Sequence, residues 1–433
     1  MSRSKKITRR NFFRKAALGS VAAAAAPYVL TSNALGAPGV EPASDRVTLG
    51  LIGTGGRGGN FYRYGPTLAV CDVDRSRRLG AIKRIEGITG VKGIKDYNDF
   101  REVLARPDID AVVITAPDHW HCQMSAMAAM AGKDIYCEKP LSAYIKESRL
   151  LSDIIARQGT IFQTGSQQRS DEKFRLACEL VLNGYIGEVK KITVGIKPGA
   201  KGPSPAKPDP IPEGFDYDMW LGPAPWAPYY ERRCFYNFRF NFDYAAGKIS
   251  DWGAHHLDIA QWGIGMERSG PIEIQGKGTF PTEGIYNCAT DFTFQCKYPA
   301  RPLYPNGLTL HCSDKYRLGI LWEGTKGSVF VTRGAIETTP DHLRTVKLKS
   351  DDIHLYDSKH HWQNFIDCVK SRREPVAPPE IAHRSVSICH LANVAMLLGR
   401  PVKWDPKTEQ FPGDPQANRM PMVDRARREP WQF

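Results

Sequence analysis

The feature that most constrains the fold is a glycine cluster that directly follows a short apolar segment. Residues 47–52 are apolar and run into Gly53-Thr54-Gly55-Gly56-Arg57-Gly58, which has the Gly-x-Gly-x-x-Gly spacing. At a strand-to-helix turn, such glycines let backbone N–H groups approach a pyrophosphate near a helix N-terminus. Glycine clusters also mark ordinary turns, so the surrounding sequence must decide between the two interpretations.

An acidic residue at the expected distance favours the nucleotide interpretation. Asp72 ends the next apolar segment, 19 residues beyond Gly53, where a carboxylate can hold the adenosine ribose hydroxyls. A carboxylate there repels a 2′-phosphate and favours NAD, although Arg75, Arg77 and Arg78 leave NADP open. The residues predicted to bind the cofactor here are Gly53, Gly55, Gly56, Arg57, Gly58 and Asp72. The remaining alternative is a nucleotide-shaped fold that binds nothing.

Apolar periodicity divides the chain into two structural regions. Short apolar segments at 47–52, 67–71, 111–115, 134–137 and 161–164 alternate with helical patterns at 98–105, 124–131 and 145–157. This alternation predicts an N-terminal Rossmann domain with a doubly wound parallel sheet at 45–165. Only 13 residues separate Gly58 from Asp72, so the first crossover helix must be short.

Period-two alternation begins after residue 165, at 192–196, 272–274, 292–294 and 308–310. Such strands bury one face, so we predict a C-terminal α/β domain at 166–404 with a large, mostly antiparallel open sheet. Helices are expected at 172–183, 362–371 and 382–398. The last 29 residues contain five prolines, and we predict a Pro-rich C-terminal arm at 405–433.

The N-terminus has the features of a twin-arginine export leader. Thr8-Arg9-Arg10-Asn11-Phe12-Phe13 precedes an apolar stretch at 16–30, and we predict a signal peptide at 1–37. The stretch is shorter than the roughly 20 residues of a membrane helix, so we expect no stable membrane anchor, with an uncleaved anchor as the alternative. The signal predicts export in the folded state by the twin-arginine translocase to the periplasm or another extracytoplasmic space. Free NAD is scarce there, so the cofactor is expected to be loaded before export.

Charge and cysteine usage narrow the function further. The leader holds seven Lys and Arg and no acidic residue, so 52 of the 59 basic residues remain against 46 acidic ones, a formal charge of +6 instead of +13. This modest charge, without a long basic run, argues against a nucleic-acid partner. The ten cysteines include no Cys-x-x-Cys pair, and we predict buried thiols rather than disulfides.

Two motifs at the ends of buried strands carry candidate chemistry. Thr115-Ala116-Pro117-Asp118-His119-Trp120-His121 ends one strand, and Cys137-Glu138-Lys139-Pro140 ends the next. In doubly wound sheets, ligands bind beyond these ends. We therefore predict cofactor contacts from Pro117, His119, His121, Glu138 and Lys139. Lys139 is placed to reach both nicotinamide and substrate; the alternative is a solvated loop lysine.

A third motif is Asp251-Trp252-Gly253-Ala254-His255-His256-Leu257-Asp258. On a helix, Asp251, His255 and Asp258 share one face. Asp251 then orients His255, which acts as a base. The spacing is not that of a zinc helix and no cysteine is near, so no metal is predicted. The alternative is a structural helix start capped by Asp251.

The segment at 220–244 is rich in aromatic residues and arginines. Aromatic faces stack on sugar rings and arginines bind hydroxyls or carboxylates, which makes Trp226, Tyr236 and Arg239 candidate substrate contacts. A role in the core or in a subunit interface remains an equal alternative.

Together these motifs resemble the Gfo/Idh/MocA oxidoreductase family. The other marks are Gln167-Gln168-Arg169 and Trp220-Leu221-Gly222-Pro223, and the octet followed by Ile259-Ala260-Gln261-Trp262 resembles a secreted subgroup with twin-arginine leaders. The resemblance implies that Lys139, Asp251 and His255 form the catalytic group. It also implies sugar or polyol substrates and a sheet that covers the cofactor and forms a homodimer or homotetramer. His256 departs from the family pattern, so its role is open.

The sequence thus predicts an exported NAD(P)-dependent oxidoreductase that acts on a sugar or cyclic polyol. The residues predicted to bind substrate are Lys139, Gln168, Arg169, Trp226, Tyr236, Arg239, Asp251, His255 and His256. One alternative is a redox-neutral glycoside hydrolase or lyase that acts through a transient keto-sugar. The other is a nucleotide-bearing sugar-binding protein without catalysis.

Overall fold

Two β-sheets, one parallel and one mostly antiparallel, organise the chain from residue 47 onward. The computed structural model describes residues 45–204 and 207–431. The predicted leader at 1–37 lies outside the described residues. From Val47 the chain forms one compact unit that contains both sheets.

The first sheet has six parallel strands in the order β3-β2-β1-β4-β5-β6. The strands are β1 (Leu49–Ile52), β2 (Thr67–Cys71), β3 (Lys95–Tyr97), β4 (Ala111–Ile114), β5 (Asp134–Cys137) and β6 (Phe162–Thr164). Every residue of β1, β4 and β5 is buried, as strands covered on both faces require. The predicted doubly wound sheet is confirmed. Its order reverses between β1 and β4, where a ligand crevice is expected at the carboxyl ends.

Helices α1 (Arg75–Thr89), α2 (Phe100–Leu104), α3 (Asp118–Met130) and α4 (Ile145–Gln158) belong to this layer. The sequence analysis missed α1 and β3. α1 buries only Arg78, Ala81 and Ile85, and β3 is a short edge strand with two exposed residues, so neither has a strong apolar period. A single 3₁₀ turn, Gly58–Phe61, forms the first crossover, as the short spacing predicted.

The second sheet has eight strands in the order β13-β12-β11-β7-β10-β9-β8-β14, and only the β7–β10 pair is parallel. The strands are β7 (Val189–Gly195), β8 (Glu273–Thr279), β9 (Asp291–Tyr298), β10 (Leu308–Ser313), β11 (Gly319–Gly324), β12 (Ser328–Thr332), β13 (Ala335–Thr339) and β14 (Val402–Lys403). Alternate residues such as Ile192, Phe294 and Trp322 bury one face. The predicted mostly antiparallel sheet is confirmed.

Six further helices complete the fold: α5 (Glu172–Leu182), α6 (Tyr217–Leu221), α7 (Gly247–Trp262), α8 (His361–Ser371), α9 (Pro379–Leu398) and α10 (Pro415–Asn418). Residues of α7 and α9 share one apolar core with the inner face of the second sheet. Within the described residues, α9 is the one helix long and apolar enough to cross a membrane, but 83% of that stretch is buried inside the protein. It is therefore a core helix.

The segment at 405–431 is an ordered arm that packs against both layers. Its backbone accepts hydrogen bonds at Met422 and Val423 from the first residues of α4. The Trp431 ring lies edge-on to Trp120, with 4.7 Å between the centroids. The ten cysteines are all buried and free.

Candidate active site

Two adjoining cavities lie at the carboxyl ends of the parallel strands. The first, of about 620 Å³, is lined by the glycine cluster, Asp72 and the 115–117 segment. The second, of about 540 Å³, is lined by Lys139 and by residues of α7. Six residues border both cavities: Arg57, Thr115, Ala116, Tyr236, Phe238 and Arg239. A ligand in the first cavity can therefore contact one in the second.

The glycine cluster forms a close turn that requires glycine at Gly53 and Gly58. Gly53 has a φ of +87°, and a Cβ there would lie 2.8 Å from the backbone nitrogen of Ala116. A Cβ on Gly58 would overlap the carbonyl oxygen of Gly53. Gly53, Gly55, Gly56 and Arg57 line the first cavity, whereas Gly58 packs behind them. This cradle fits the pyrophosphate of a dinucleotide.

Asp72 lies on the wall of the first cavity and also holds the glycine turn. Its carboxylate accepts hydrogen bonds from Thr54 N at 2.7 Å and Thr54 Oγ1 at 3.1 Å, and from Asp74 N at 3.0 Å. Burial raises the pKa of Asp72, and these hydrogen bonds oppose the rise. Each carboxylate oxygen has two lone pairs, so acceptor capacity remains for ribose hydroxyls.

Of the three arginines that leave NADP open, only Arg77 lines the cavity. Its guanidinium lies 4.4 Å from the centroid of the Phe235 ring. Arg78 is committed elsewhere, since it donates to the Asp72 carbonyl at 2.5 Å and pairs with Asp96 at 3.2 Å. The cavity wall thus presents one carboxylate and one guanidinium beside the predicted ribose position.

Lys139 and Asp251 meet in the second cavity. Lys139 follows β5, and its Nζ donates to the Asp251 carbonyl at 2.8 Å and to Asp251 Oδ1 at 3.0 Å. Lys248 Nζ lies 2.7 Å from Asp251 Oδ2, and Arg239 Nε lies 3.5 Å from the same oxygen. Burial alone would raise the pKa of Asp251, but Lys139, Arg239 and Lys248 together hold it well below its usual value. The Asp251 carboxylate is therefore ionised and pairs with three cationic side chains.

His255 lies one helical turn beyond Asp251 and borders the same cavity. The ring is buried, and its Nδ1 has no hydrogen-bond partner. Burial, reinforced by Lys139 and Arg333, holds the pKa of His255 well below its usual value. The imidazole is therefore neutral near pH 7, the form that accepts a proton. Within the described residues, the Asp251 carboxylate oxygens bond to cations and not to the His255 ring, so the predicted orienting contact is not seen.

The predicted face of the motif at 251–258 does not lie in the cavity as a whole. α7 begins at Gly247, so Asp251 lies in its second turn and does not cap it. Asp258 lies about 10 Å farther along the helix axis at 1.5 Å per residue, beyond the cavity. There it accepts from Arg169 Nε at 2.7 Å and Nη2 at 2.8 Å, and from Ser385.

Four predicted substrate contacts lie outside both cavities: Gln168, Arg169, Trp226 and His256. Arg169 is buried between Asp258 and Glu267 and over the Trp262 ring, and Gln168 is buried beside it. Their neighbour Gln167 lines the second cavity instead. Trp226 is 70% exposed and borders neither cavity.

The remaining predicted residues divide between cavity wall and core. Pro117, His121, Glu138, Tyr236 and Arg239 line a cavity. His119 does not, because its Nε2 lies 3.0 Å from the Trp220 carbonyl oxygen and its ring is buried there. Nor does His256, whose Nδ1 lies 2.8 Å from the Gly195 carbonyl oxygen. His121 lies between two carbonyl oxygens, with its Nδ1 2.6 Å from that of Pro140 and its Nε2 2.8 Å from that of Ala116.

Several residues of the second cavity were missed by the sequence analysis: Asp118, Gln167, Lys197, Lys248, Trp252 and Arg333. Asp118, Gln167 and Trp252 stood inside quoted motifs, and Lys248 stands one turn before Asp251. Lys197 and Arg333 come from the end of β7 and the β12–β13 turn, and no sequence signal linked them to the site. Burial raises the pKa of Asp118 to about 7, against the influence of Arg239. Within the described residues, no cluster of His, Cys, Asp or Glu suits a metal ion.

Comparison with known families gives a match along most of the chain. The Gfo/Idh/MocA description "Oxidoreductase family, NAD-binding Rossmann fold" matches residues 48–166. The companion description "Oxidoreductase family, C-terminal alpha/beta domain" matches residues 179–433. The second match alone covers more than half of the chain.

Similar curated proteins include oxidoreductases and a glycosidase. An uncharacterized Bacillus subtilis oxidoreductase, YrbE, is 26% identical over 60% of this chain and 64% of its own length, so the match spans less than two thirds of that relative. The scyllo-inositol 2-dehydrogenase (NAD(+)) of B. subtilis is 25% identical over 71% of this chain and 81% of its own. A glycosyl hydrolase family 109 protein of Shewanella is 33% identical over 25% of this chain and 26% of its own.

Solved structures share the fold. A levoglucosan dehydrogenase in complex with NADH and levoglucosan aligns with a TM-score of 0.59 at 15% identity, over 82% of this chain and 99% of its own. An aldose-aldose oxidoreductase from Caulobacter crescentus, complexed with glycerol, aligns with a TM-score of 0.59 at 16% identity, over 83% and 99%.

Proposed function

The chain belongs to the Gfo/Idh/MocA oxidoreductase family, and we propose that it is an exported enzyme that interconverts a hydroxyl and a carbonyl on a sugar or cyclic polyol. One observation carries the proposal. Lys139 and His255 border a cavity that adjoins the glycine-lined nucleotide cavity. Two relatives act on polyhydroxylated rings by name, scyllo-inositol 2-dehydrogenase and levoglucosan dehydrogenase, which supports the substrate class.

The nucleotide cavity supplies the redox partner. The glycine cradle, Asp72 and Arg77 suit NAD, whose nicotinamide accepts or returns the hydride when it is bound. The protein's own task is to place the reacting carbon against that ring and to manage charge on its oxygen. The six residues shared by the two cavities form the boundary across which the two ligands meet.

Lys139 and His255 have different roles at the reacting oxygen of the substrate. In the oxidation direction, an imidazole nitrogen of neutral His255 takes the hydroxyl proton. Lys139 Nζ donates a hydrogen bond to the same oxygen and stabilises its developing negative charge. Asp251 holds the Lys139 ammonium in place through its carbonyl and Oδ1. Asp251 therefore acts through Lys139 rather than through the imidazole.

The twin-arginine leader at 1–37 supports export with the cofactor already bound. An enzyme without a supply of free nucleotide must regenerate its cofactor with a second substrate. We propose location in the periplasm or another extracytoplasmic space, and assembly as a homodimer or homotetramer through the open face of the second sheet.

Mass spectrometry of the denatured, exported protein tests the proposal. The predicted result is release of stoichiometric NAD from protein that lacks residues 1–37. Absence of any nucleotide from protein isolated outside the cytoplasm contradicts cofactor loading before export. Reduction of the bound nicotinamide by at least one member of a sugar and polyol panel is the accompanying expectation.

Redox-neutral glycoside cleavage is the second candidate, and the similarity to a glycosyl hydrolase family 109 protein favours it. In such a cycle, the transient oxidation of the sugar is reversed after elimination, so no net acceptor is needed. An aryl glycoside incubated with holoenzyme alone distinguishes the two. Steady release of the phenol indicates cleavage, whereas a dehydrogenase reduces its bound cofactor once and then stops. A binding protein without catalysis would have no use for the Lys139–His255 pair.

A further inference from the structure

Two cations at the second cavity have no anionic partner in the described residues. Lys197 follows β7, and Arg333 lies in the turn between β12 and β13. Both border the second cavity and both contact Trp252, with 4.9 Å from Lys197 Nζ and 4.8 Å from Arg333 Cζ to the ring centroid. Among the ion pairs of residues 45–204 and 207–431, neither side chain takes part in any. The indole holds them through cation–π contacts alone.

The other four cations of this cavity each contact a carboxylate, although three of them share a single one. Lys139, Arg239 and Lys248 share Asp251, and Arg57 pairs with Glu138 at 2.5 Å. Asp118 is the third carboxylate, and burial raises its pKa to about 7, so it carries only part of a charge near neutral pH. The cavity thus has six cationic and three acidic side chains. Of the six cations, Lys197 and Arg333 are the two that no carboxylate of the described residues contacts.

Uncompensated like charges at the wall of a concave site favour an anion inside it, because low-dielectric walls focus the field. Burial and, to a smaller extent, the Arg57 charge lower the pKa of Arg333, and the Asp251 charge opposes this shift. A neutral sugar would leave the excess of cations in the cavity unbalanced. The cations also cover the Trp252 indole, which would otherwise be the stacking face for a sugar ring.

We propose that the substrate carries an anionic group, a carboxylate or a phosphate, and that Lys197 and Arg333 bind it while Lys139 and His255 engage the reacting hydroxyl. This inference rests on the proposed function. The substrate class is then sugar acids or sugar phosphates rather than neutral sugars. Arg57 borders both cavities, so the pyrophosphate of the cofactor is the competing source of negative charge.

The test compares glucose, glucuronate and glucose 6-phosphate with holoenzyme and with the double variant Lys197→Gln/Arg333→Gln. A charged sugar is expected to reduce the bound cofactor with kcat/KM about tenfold or more above that of glucose. The double variant should abolish most of this preference, lowering the ratio of kcat/KM for the charged sugar to kcat/KM for glucose about tenfold or more, since two charge-assisted hydrogen bonds are lost. Lys83→Gln/Arg373→Gln removes the same charge from exposed positions outside both cavities and should have no effect.

Ligand-induced thermal stabilisation separates this inference from the proposed function. If no sugar reduces the cofactor, the proposed function fails. The anion site is still supported if glucuronate or glucose 6-phosphate raises the Tm of the wild type and does not raise the Tm of the double variant. Equal Tm and kcat/KM for charged and neutral sugars overturn the inference. Loss of bound NAD from the double variant, with unchanged sugar preference, also overturns it, because the cations then serve the cofactor.

Discussion

Lys139 Nζ donates hydrogen bonds to both the backbone carbonyl and the carboxylate of Asp251, at 2.8 and 3.0 Å, across 112 positions of sequence. Lys139 follows a strand of the parallel sheet, whereas Asp251 belongs to a helix that packs on the second sheet. This contact joins the two layers at the wall of the second cavity. The residues proposed to act on the substrate oxygen therefore lie in a cavity that adjoins the nucleotide cavity.

Replacing Asp251 with asparagine leaves three cations without their shared anion. We expect a loss of about 3 kcal/mol in the free energy of unfolding, because Lys139 and Lys248 are only 17% and 9% exposed. Turnover should fall as Lys139 loses its position. Denaturant unfolding and initial rates measure both effects. Asp424→Asn, which breaks an exposed pair with Lys146, is the control and should cost at most about 1 kcal/mol. Equal losses in the two variants contradict the account.

Arg169 serves stability rather than substrate binding. The Arg169–Asp258 pair is 2% exposed on each side, so Arg169→Met should destabilise the protein by about 3 kcal/mol or more. KM for the sugar should stay within about twofold, because the side chain borders neither cavity. Unfolding curves measure the loss of stability, and steady-state kinetics measure KM. A raised KM with unchanged stability would restore the role that the sequence suggested.

Asp118 gives the protein a distinctive pH dependence of stability. Its pKa rises from 3.8 to about 7 in the folded state because of burial, so the folded state binds the proton more tightly. The contribution of Asp118 to the free energy of unfolding is therefore fully present below about pH 4. It is lost as the pH rises towards 7, by at most about 1.4 kcal/mol for each pH unit. Asp118→Asn should abolish this decline and be more stable than the wild type above pH 7. The test is to measure the free energy of unfolding of the wild type and of Asp118→Asn from pH 4 to 8. Parallel pH profiles for the two proteins would contradict the assignment of this pH dependence to Asp118.

Asp72 should govern cofactor choice. Asp72→Ser removes the carboxylate that repels a 2′-phosphate and leaves Arg77 at the same wall. We expect weaker retention of NAD and a relative gain for NADP of about tenfold, measured by reconstitution with each nucleotide. Thr54→Val is the matched control, because it removes only the side-chain hydrogen bond to Asp72 at 3.1 Å. If both variants lose NAD equally and neither gains NADP, Asp72 only supports the turn.

Backbone requirements were the part of the molecule that sequence predicted best. The turn at Gly53 tolerates no Cβ, and the fully buried strands appear as short, unbroken apolar segments, so the parallel sheet and its cavity could be predicted from the pattern. The Lys139 and His255 positions followed from motifs at a strand end and on a helix.

Side-chain direction could not be predicted in the same way. In the 3₁₀ turn at Gln167–Ser170, the motif did not reveal that Gln167 lines the cavity while Arg169 is buried with Asp258. Lys197 follows β7 and Arg333 lies in the turn between β12 and β13, and only the pairing of strands in the second sheet brings both to Trp252. Both failures concern tertiary packing, which local spacing does not encode.

The central claim is that Lys139 and His255 act on a hydroxyl beside a bound nicotinamide. Single-turnover mixing of nucleotide-loaded wild type and Lys139→Met with a reactive sugar tests it most directly, with absorbance of the reduced nicotinamide as the readout. The account predicts equal nucleotide content in both proteins and a reduction rate about 1,000-fold lower in the variant. Equal content with equal rates would contradict it.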